Sequence, residues 1–190
     1  MGKSYRYDSS LILVQYTCVC NMRVCDTRVS DAGKEKNVQF WLFKSEPSEI
    51  SIDDMANFPG QTIEWFGIRN YQARNFMRDQ MRAGDKALFW HSSCKEPGIY
   101  GIVEVASAAH PDSYQFDPVS HYYDAKATNA NPRWWCVDVK FVSKCKYLSI
   151  QALRTYPQLS SLRVLQKGNR LSITPVSQLE WEFILALNAN

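Results

Sequence analysis

The sequence predicts an α+β domain built on a small, curled, mostly antiparallel sheet with short helices around it. Three observations predict it. The chain has 190 residues, the length of one domain with at most a small appendage. Apolar segments of strand character recur between turn signals, at 38–44, 86–92, 99–109 and 134–144. The helical segments between them are short and irregularly spaced, so no pair makes the long βαβ alternation of a doubly wound sheet.

Residues 1–37 differ in character from the rest of the chain. They hold Cys18, Cys20 and Cys25, and they end in the polar run 30–37. They are expected to be a largely irregular N-terminal extension with one short strand near 11–16, leaving 38–190 as the domain. Residues 38–44 are β-branched and aromatic and stop at Glu46-Pro47, as a buried strand does. Ser51 with Asp54 forms a capping box for a short helix that Gly60 closes, and 62–65 is a short strand. Asn70 caps a helix predicted to run to Arg82. Arg74, Arg78 and Arg82 share one face of it, and Ala73, Phe76, Met77 and Met81 another. Strands 86–92 and 99–109 come next, joined by a loop turning at Pro97-Gly98. The polar and aromatic stretch 110–133 is a long loop, uncommon in a compact domain and usually functional. Residues 134–144 alternate, with Trp135, Val137, Val139 and Phe141 against Cys136, Asp138 and Lys140. Ser149 caps a short helix to about Tyr156, 157–165 makes further helical turns, and 170–174 is a final strand. The last helix has Ser177 as N-cap, Glu180 at the reciprocal position, and Leu179, Phe183, Ile184 and Leu187 as its apolar residues.

Composition excludes several classes. With 45% hydrophobic and 22% charged residues the chain is neither disordered nor fibrous. No stretch approaches the ~20 apolar residues of a membrane span. The N-terminus lacks a signal peptide's cleavage pattern, and Arg6 breaks the myristoylation pattern. No membrane partner is expected. The six cysteines include no C-x-x-C pair, and His91, His110 and His121 lack zinc-like spacing. Free thiols in a reducing compartment, with no metal and no cofactor, are the expectation. The net charge of +3 hides an asymmetry: 133–170 carries eight Lys/Arg against the single acid Asp138. Such a segment is either a set of solvated faces or a surface for phosphate backbone.

Enzyme signatures are sparse. There is no G-x-S-x-G elbow, phosphate-binding glycine loop or H-E-x-x-H. A hydrolase or nuclease would have to use His91 with Cys94 or Glu46, and strand neighbours such as His91 and Ser92 point to opposite faces. Binding features are richer. Four segments set polar groups against rings or at strand ends: Trp41 with Lys44-Ser45-Glu46, Trp65 with Arg69-Asn70-Tyr71, Phe89-Trp90 with His91-Ser92, and Arg170-Leu171-Ser172. Each ring alone has an ordinary reading as core. On a curled sheet the four segments converge, and rings with polar groups at their edges suit a splayed-out nucleobase. A protein–protein adaptor with a purely structural aromatic cluster is the third class.

The blocks FWLFKSEPSEIS (40–51), GIRNYQARNFMR (67–78), GDKALFWHSSCKEPGIYGIVEV (84–105), HPDSYQFDP (110–118), YYDAK (122–126), NPRWW (131–135) and RLSITPVSQLEW (170–181) resemble, in order, those of the EVE-domain family. The resemblance covers about 38–187. It implies a PUA-like fold, a small curled β-barrel with peripheral short helices. It also implies binding of a modified nucleobase in a pocket, and the chain is expected to be a non-catalytic monomer with an aromatic and polar pocket. Modified cytosine in DNA is favoured, with RNA as the alternative partner, and the location is the nucleus, with the cytoplasm as alternative. Carried onto this chain, the base-binding residues are Lys44, Ser45, Trp65, Arg69, Asn70, Tyr71, His91, Ser92, Arg170 and Ser172, with Trp90, which departs from the family's ring, expected beside them as a further stacking face. Arg74, Arg78, Arg133 and Lys167 are the candidates for phosphate contacts, and loop 110–133 is expected to close over the site. The chain departs from the family pattern at Phe66, Ile68 and Trp90.

Overall fold

The computed structural model describes residues 38–189; the extension 1–37, with its expected strand at 11–16, lies outside them. The strands are β1 (Phe40–Ser45), β2 (Thr62–Glu64), β3 (Lys86–His91), β4 (Gly98–Val105), β5 (His110–Pro111), β6 (Trp135–Cys136), β7 (Asp138–Ser149) and β8 (Ile173–Val176). The helices are α1 (Ile52–Asn57), α2 (Tyr71–Asn75), α3 (Ile150–Arg154) and α4 (Gln178–Ala189). Six strands form a mixed sheet in the order β2-β7-β4-β3-β1-β8, curled into a half-barrel; β5 and β6 pair as a separate ribbon. Only β1 with β3 is parallel, and every other pair is antiparallel. No helix among the described residues is long and apolar enough to cross a membrane.

The near-continuous apolar runs FWLF and ALFW reflect burial on both faces of the sheet. The pleat sends Trp41, Phe43, Ala87, Phe89 and Val103 into one cluster, with Met55, Trp65, Met77 and Met81. It sends Leu42, Leu88, Trp90 and Ile99 into the other, against Leu153, Leu159, Trp181 and Ile184. Each of the larger aliphatic and phenyl side chains among them contributes roughly 1.5–3 kcal/mol by leaving water.

Local capping sets the helices. Ser51 and Asp54 form the predicted box on α1, and Ser149 caps α3. At α4 the backbone N–H and hydroxyl of Ser177 donate to Glu180 while the Glu180 N–H returns to Ser177 Oγ.

Several expectations need correction. The helix from Asn70 is α-helical only over Tyr71–Asn75 and passes into a π-turn at Phe76–Gln80, closed by Met81 N–H on the Phe76 carbonyl. Ala73, Met77 and Met81 are all fully or nearly fully buried. Residues at every fourth position drift ~40° per turn around a 3.6-residue helix, and the wider turn keeps this trio on the core. Strand β4 ends at Val105, and the last strand is Ile173–Val176 rather than 170–174. The predicted strand 134–144 is two strands, because Cys136 pairs back on His110 in the β5–β6 ribbon; Cys136 is thereby buried rather than outward. Leu179 is 79% exposed, since the buried stripe of α4 is Trp181 and Ile184.

One buried acid ties the start of β1 to the turn before β3. Asp85 accepts the Gln39 N–H at 3.0 Å, the Trp41 indole N–H at 3.1 Å and the Arg82 N–H at 3.0 Å. Asp85→Ala leaves these donors without their acceptor and is expected to cost about 2–4 kcal/mol. Urea denaturation measures this; a loss under ~0.5 kcal/mol, the size of an ordinary surface change, would contradict the assignment.

Candidate functional site

A cleft of about 780 Å³ opens beside the C-terminal end of β1. Lys44, Ser45, Glu49 and Ile50 line one side, and residues 62–69 another; Ser172 and the rings of Tyr114 and Tyr122 complete it. Trp65 lies in its wall at 6% exposure, held edge-on against Phe43 (5.0 Å) and Phe89 (5.9 Å). Its backbone N–H donates to the Val137 carbonyl at 2.8 Å. Its indole N–H, unlike those of Trp41 and Trp134, has no acceptor among the described residues. Phe66 is 41% exposed and packs on Tyr114 at 4.3 Å and on Tyr122 at 5.8 Å. The Lys44 ammonium is half-buried, and no carboxylate pairs with it among the described residues. Burial lowers its pKa from the ordinary lysine value.

The loop 110–133 is built into the mouth of this cleft. Asp112, 1% exposed, accepts from the Gly67 N–H (3.0 Å), the Arg69 guanidinium (2.7 Å) and the Tyr114 N–H (2.9 Å). Arg69 also donates to the Tyr122 carbonyl and stacks over the rings of Tyr122 and Trp134. The buried Gln115 amide donates to the carbonyls of Asp112 and Trp134 and accepts from the N–H groups of Arg133 and Trp134. Gly67 is required at the contact: its φ is +79°, and a Cβ there would lie 2.7 Å from the Tyr122 ring.

The fold brings together Lys44, Ser45, Trp65, Arg69 and Ser172 of the expected pocket. Arg69 is engaged in anchoring the loop. The remaining six stand elsewhere. Trp90, 2% exposed, sits in the other core cluster because the pleat turns it away from Phe89. His91 is buried, accepts the Ile52 N–H at Nε2 (3.2 Å) and stacks on Tyr100 at 4.0 Å. Ser92 donates to the Ser45 carbonyl, Asn70 is spent as the cap of α2, and Arg170 is exposed outside the cleft. Tyr71 stacks on Trp134 at 4.9 Å, with Arg74 over its ring at 4.7 Å and the Arg133 guanidinium on its hydroxyl.

Of the phosphate candidates, Arg74 and Arg133 therefore share one aromatic-backed patch. Arg78 is paired with Asp79 at 2.7 Å, and Lys167 lines a separate groove with Arg163 and Asn169. The hydrolase arrangement is not formed: the His91 Nε2 is occupied, no hydrogen bond joins it to Cys94, and Glu46 is exposed. Glu49, Gly67, Tyr114 and Tyr122 are among the cleft residues that sequence reasoning missed, while Phe66 stood out only as a departure from the family pattern. Their signal lay in the length of loop 110–133 and in the departure at Phe66.

Residues 39–187 match the family model of the EVE domain. Thymocyte nuclear protein 1 of Homo sapiens is 41% identical over 164 residues, which is 77% of this chain and 72% of that protein. The Gallus gallus protein of the same name is 39% identical over 175 residues, 82% of this chain and 72% of its own length. Among solved structures, human THYN1 in complex with 5-methylcytosine-containing DNA superposes with a TM-score of 0.74 at 39% identity, covering 80% of this chain and 98% of that one. A Pseudomonas syringae protein superposes with a TM-score of 0.74 at 47% identity, covering 78% and 99%.

Two outcomes are expected. Asp112→Ala strands the Arg69 guanidinium and two N–H groups, a loss of about 3 kcal/mol. Hydrogen exchange should speed up through 112–134 while β3 and β4 stay protected; an unchanged loop would contradict the anchoring role. Burial holds the His91 imidazole below its ordinary pKa. The unfolded chain therefore binds the proton more readily. The stability His91 contributes is complete above about pH 6.5 and is lost as pH falls below it. His91→Gln should flatten the fall in melting temperature from pH 7 to 5; identical slopes would refute this.

Proposed function

The chain belongs to the EVE-domain family, and from that premise we propose that it is a non-catalytic reader of modified cytosine in DNA. The observation that carries this reading is the cleft of about 780 Å³ walled by Trp65, Phe66, Tyr114 and Tyr122 with the half-buried Lys44 ammonium beside it. A volume of this size falls in the usual range for small-molecule pockets. The human relative whose structure is a complex with 5-methylcytosine DNA supplies the choice of base.

The chemistry is complementary. Rings give stacking faces and apolar contact for a 5-methyl group. The Lys44 ammonium donates to a pyrimidine carbonyl or ring nitrogen, and the Glu49 carboxylate accepts from an exocyclic amine. Ser45 and Ser172 add short polar contacts. Extruding a base from a duplex costs a few kcal/mol, so single strands and mismatched sites are the favoured targets. Arg74 and Arg133, backed by Tyr71 and Trp134, hold phosphates and orient the strand without reading sequence. The name shared by the vertebrate relatives supports action in the nucleus. Among the described residues, no nucleophile lining the cleft is hydrogen-bonded to a base.

Fluorescence anisotropy with matched DNA and RNA oligonucleotides, with and without 5-methylcytosine, tests the reading. The modified single-stranded DNA should bind tightest. Lys44→Met and Tyr122→Ala should each weaken it about fivefold to a hundredfold, the size of a lost stacking or polar contact. Arg74→Ala should weaken modified and unmodified strands alike and lower the salt slope. Equal, salt-sensitive binding to every oligonucleotide would leave a generic nucleic-acid binder and overturn the reader.

A further inference from the structure

Outside the base-contacting rings, three potential metal ligands meet where β2 faces the β5–β6 ribbon. The Glu64 carboxylate, a His110 ring nitrogen and the Cys136 sulfur all lie within 4.8 Å of one another. Cys136 Sγ is 3.1 Å from Glu64 Oε1 and 3.4 Å from His110 Nδ1. Zinc bonds of ~2.0–2.3 Å in a tetrahedron set ligand atoms roughly 3.3–3.7 Å apart, so small rotamer adjustments seat an ion between them. Backbone pairing makes the arrangement: His110 stands directly opposite Cys136, and Glu64 opposite Asp138.

A fourth residue gives an independent pointer. His110 Nε2 lies 3.3 Å from Asp138 Oδ1, while Nδ1 is the nitrogen nearer the thiol. A carboxylate on one ring nitrogen with the other turned to the ion is the usual support of a ligating histidine. We infer that Glu64, His110 and Cys136 form a three-ligand site for a borderline divalent ion, zinc foremost, with Asp138 orienting His110. A sulfur, nitrogen and oxygen donor set suits zinc and disfavours magnesium and calcium, which take oxygen ligands. Three protein ligands leave a fourth position for water or a ligand atom. Glu64 also lines the cleft, so the ion would stand at its edge. The sequence expectation of no metal rested on spacing, and these ligands are 72 and 26 residues apart from Cys136. Only the fold brings them together.

The test is titration of the full metal-free chain with Zn²⁺ and with Co²⁺ as spectroscopic stand-in. One equivalent should bind, with thiolate-to-cobalt charge-transfer absorption and a higher melting temperature. Cys136→Ser should abolish the absorption. Glu64→Gln and His110→Ala should each weaken binding at least tenfold, and Asp138→Asn about 10–100-fold. Cys94→Ser and a Cys18→Ser, Cys20→Ser, Cys25→Ser triple variant should bind as the parent does. Where Cys136→Ser fails to fold, Glu64→Gln decides, with its fold checked by circular dichroism. Absence of stoichiometric binding, binding unaffected by Glu64→Gln, or binding lost in the triple variant would overturn the site.

Discussion

The cleft depends on a single buried carboxylate. Asp112 gathers the N–H of Gly67, the guanidinium of Arg69 and the N–H of Tyr114. These groups belong to two segments some 45 residues apart in sequence. A carboxylate this buried is costly unless its lone pairs are filled, so the two segments are bound to each other by the need to satisfy it. Through Arg69 the tie extends to the Tyr122 carbonyl and the Trp134 ring. The rings of the cleft mouth are therefore set by polar chemistry behind them, and a preorganised aromatic site loses little freedom when a flat ligand enters.

The sheet supplies the second constraint. Because both faces are covered, each apolar residue of β1 and β3 belongs to one core or the other by the parity of its position. Trp65 reaches the cleft from the cluster it shares with Phe43 and Phe89, whereas Trp90 belongs to the layer behind. The two tryptophans are equally suggestive as letters and opposite in role as placed.

Much of the fold was legible because local rules act locally. The capping boxes at Ser51 and Ser177, the Asn70 and Ser149 caps, the pairing of β3 with β4 (though not the end of β4) and the α+β class all read directly from residue type and spacing. The shortened α2 was not legible, since the demand to bury Ala73, Met77 and Met81 together outweighs regular helix geometry. The site was half legible. Lys44, Ser45, Trp65, Arg69 and Ser172 converge as expected. Asn70, His91 and Ser92 are used up by cap, backbone and core. Tyr114 and Tyr122 were hidden because a loop without periodicity gives no face to assign. Likewise, no motif could have joined Glu64, His110 and Cys136, because strand pairing alone makes them neighbours.

The central claim is that a modified base enters the cleft beside Lys44 and Trp65 while the strand runs over the Tyr71, Arg74 and Arg133 patch. Backbone amide NMR of the labelled chain, titrated with a short single strand carrying one 5-methylcytosine and then with its unmodified counterpart, tests it most directly. Both strands are expected to shift the amides of α2 and Arg133, and only the modified strand to shift strongly those of 44–45, 65–69 and 114–122. Shifts confined to the basic patch, or lying in the separate groove around Lys167, would contradict it.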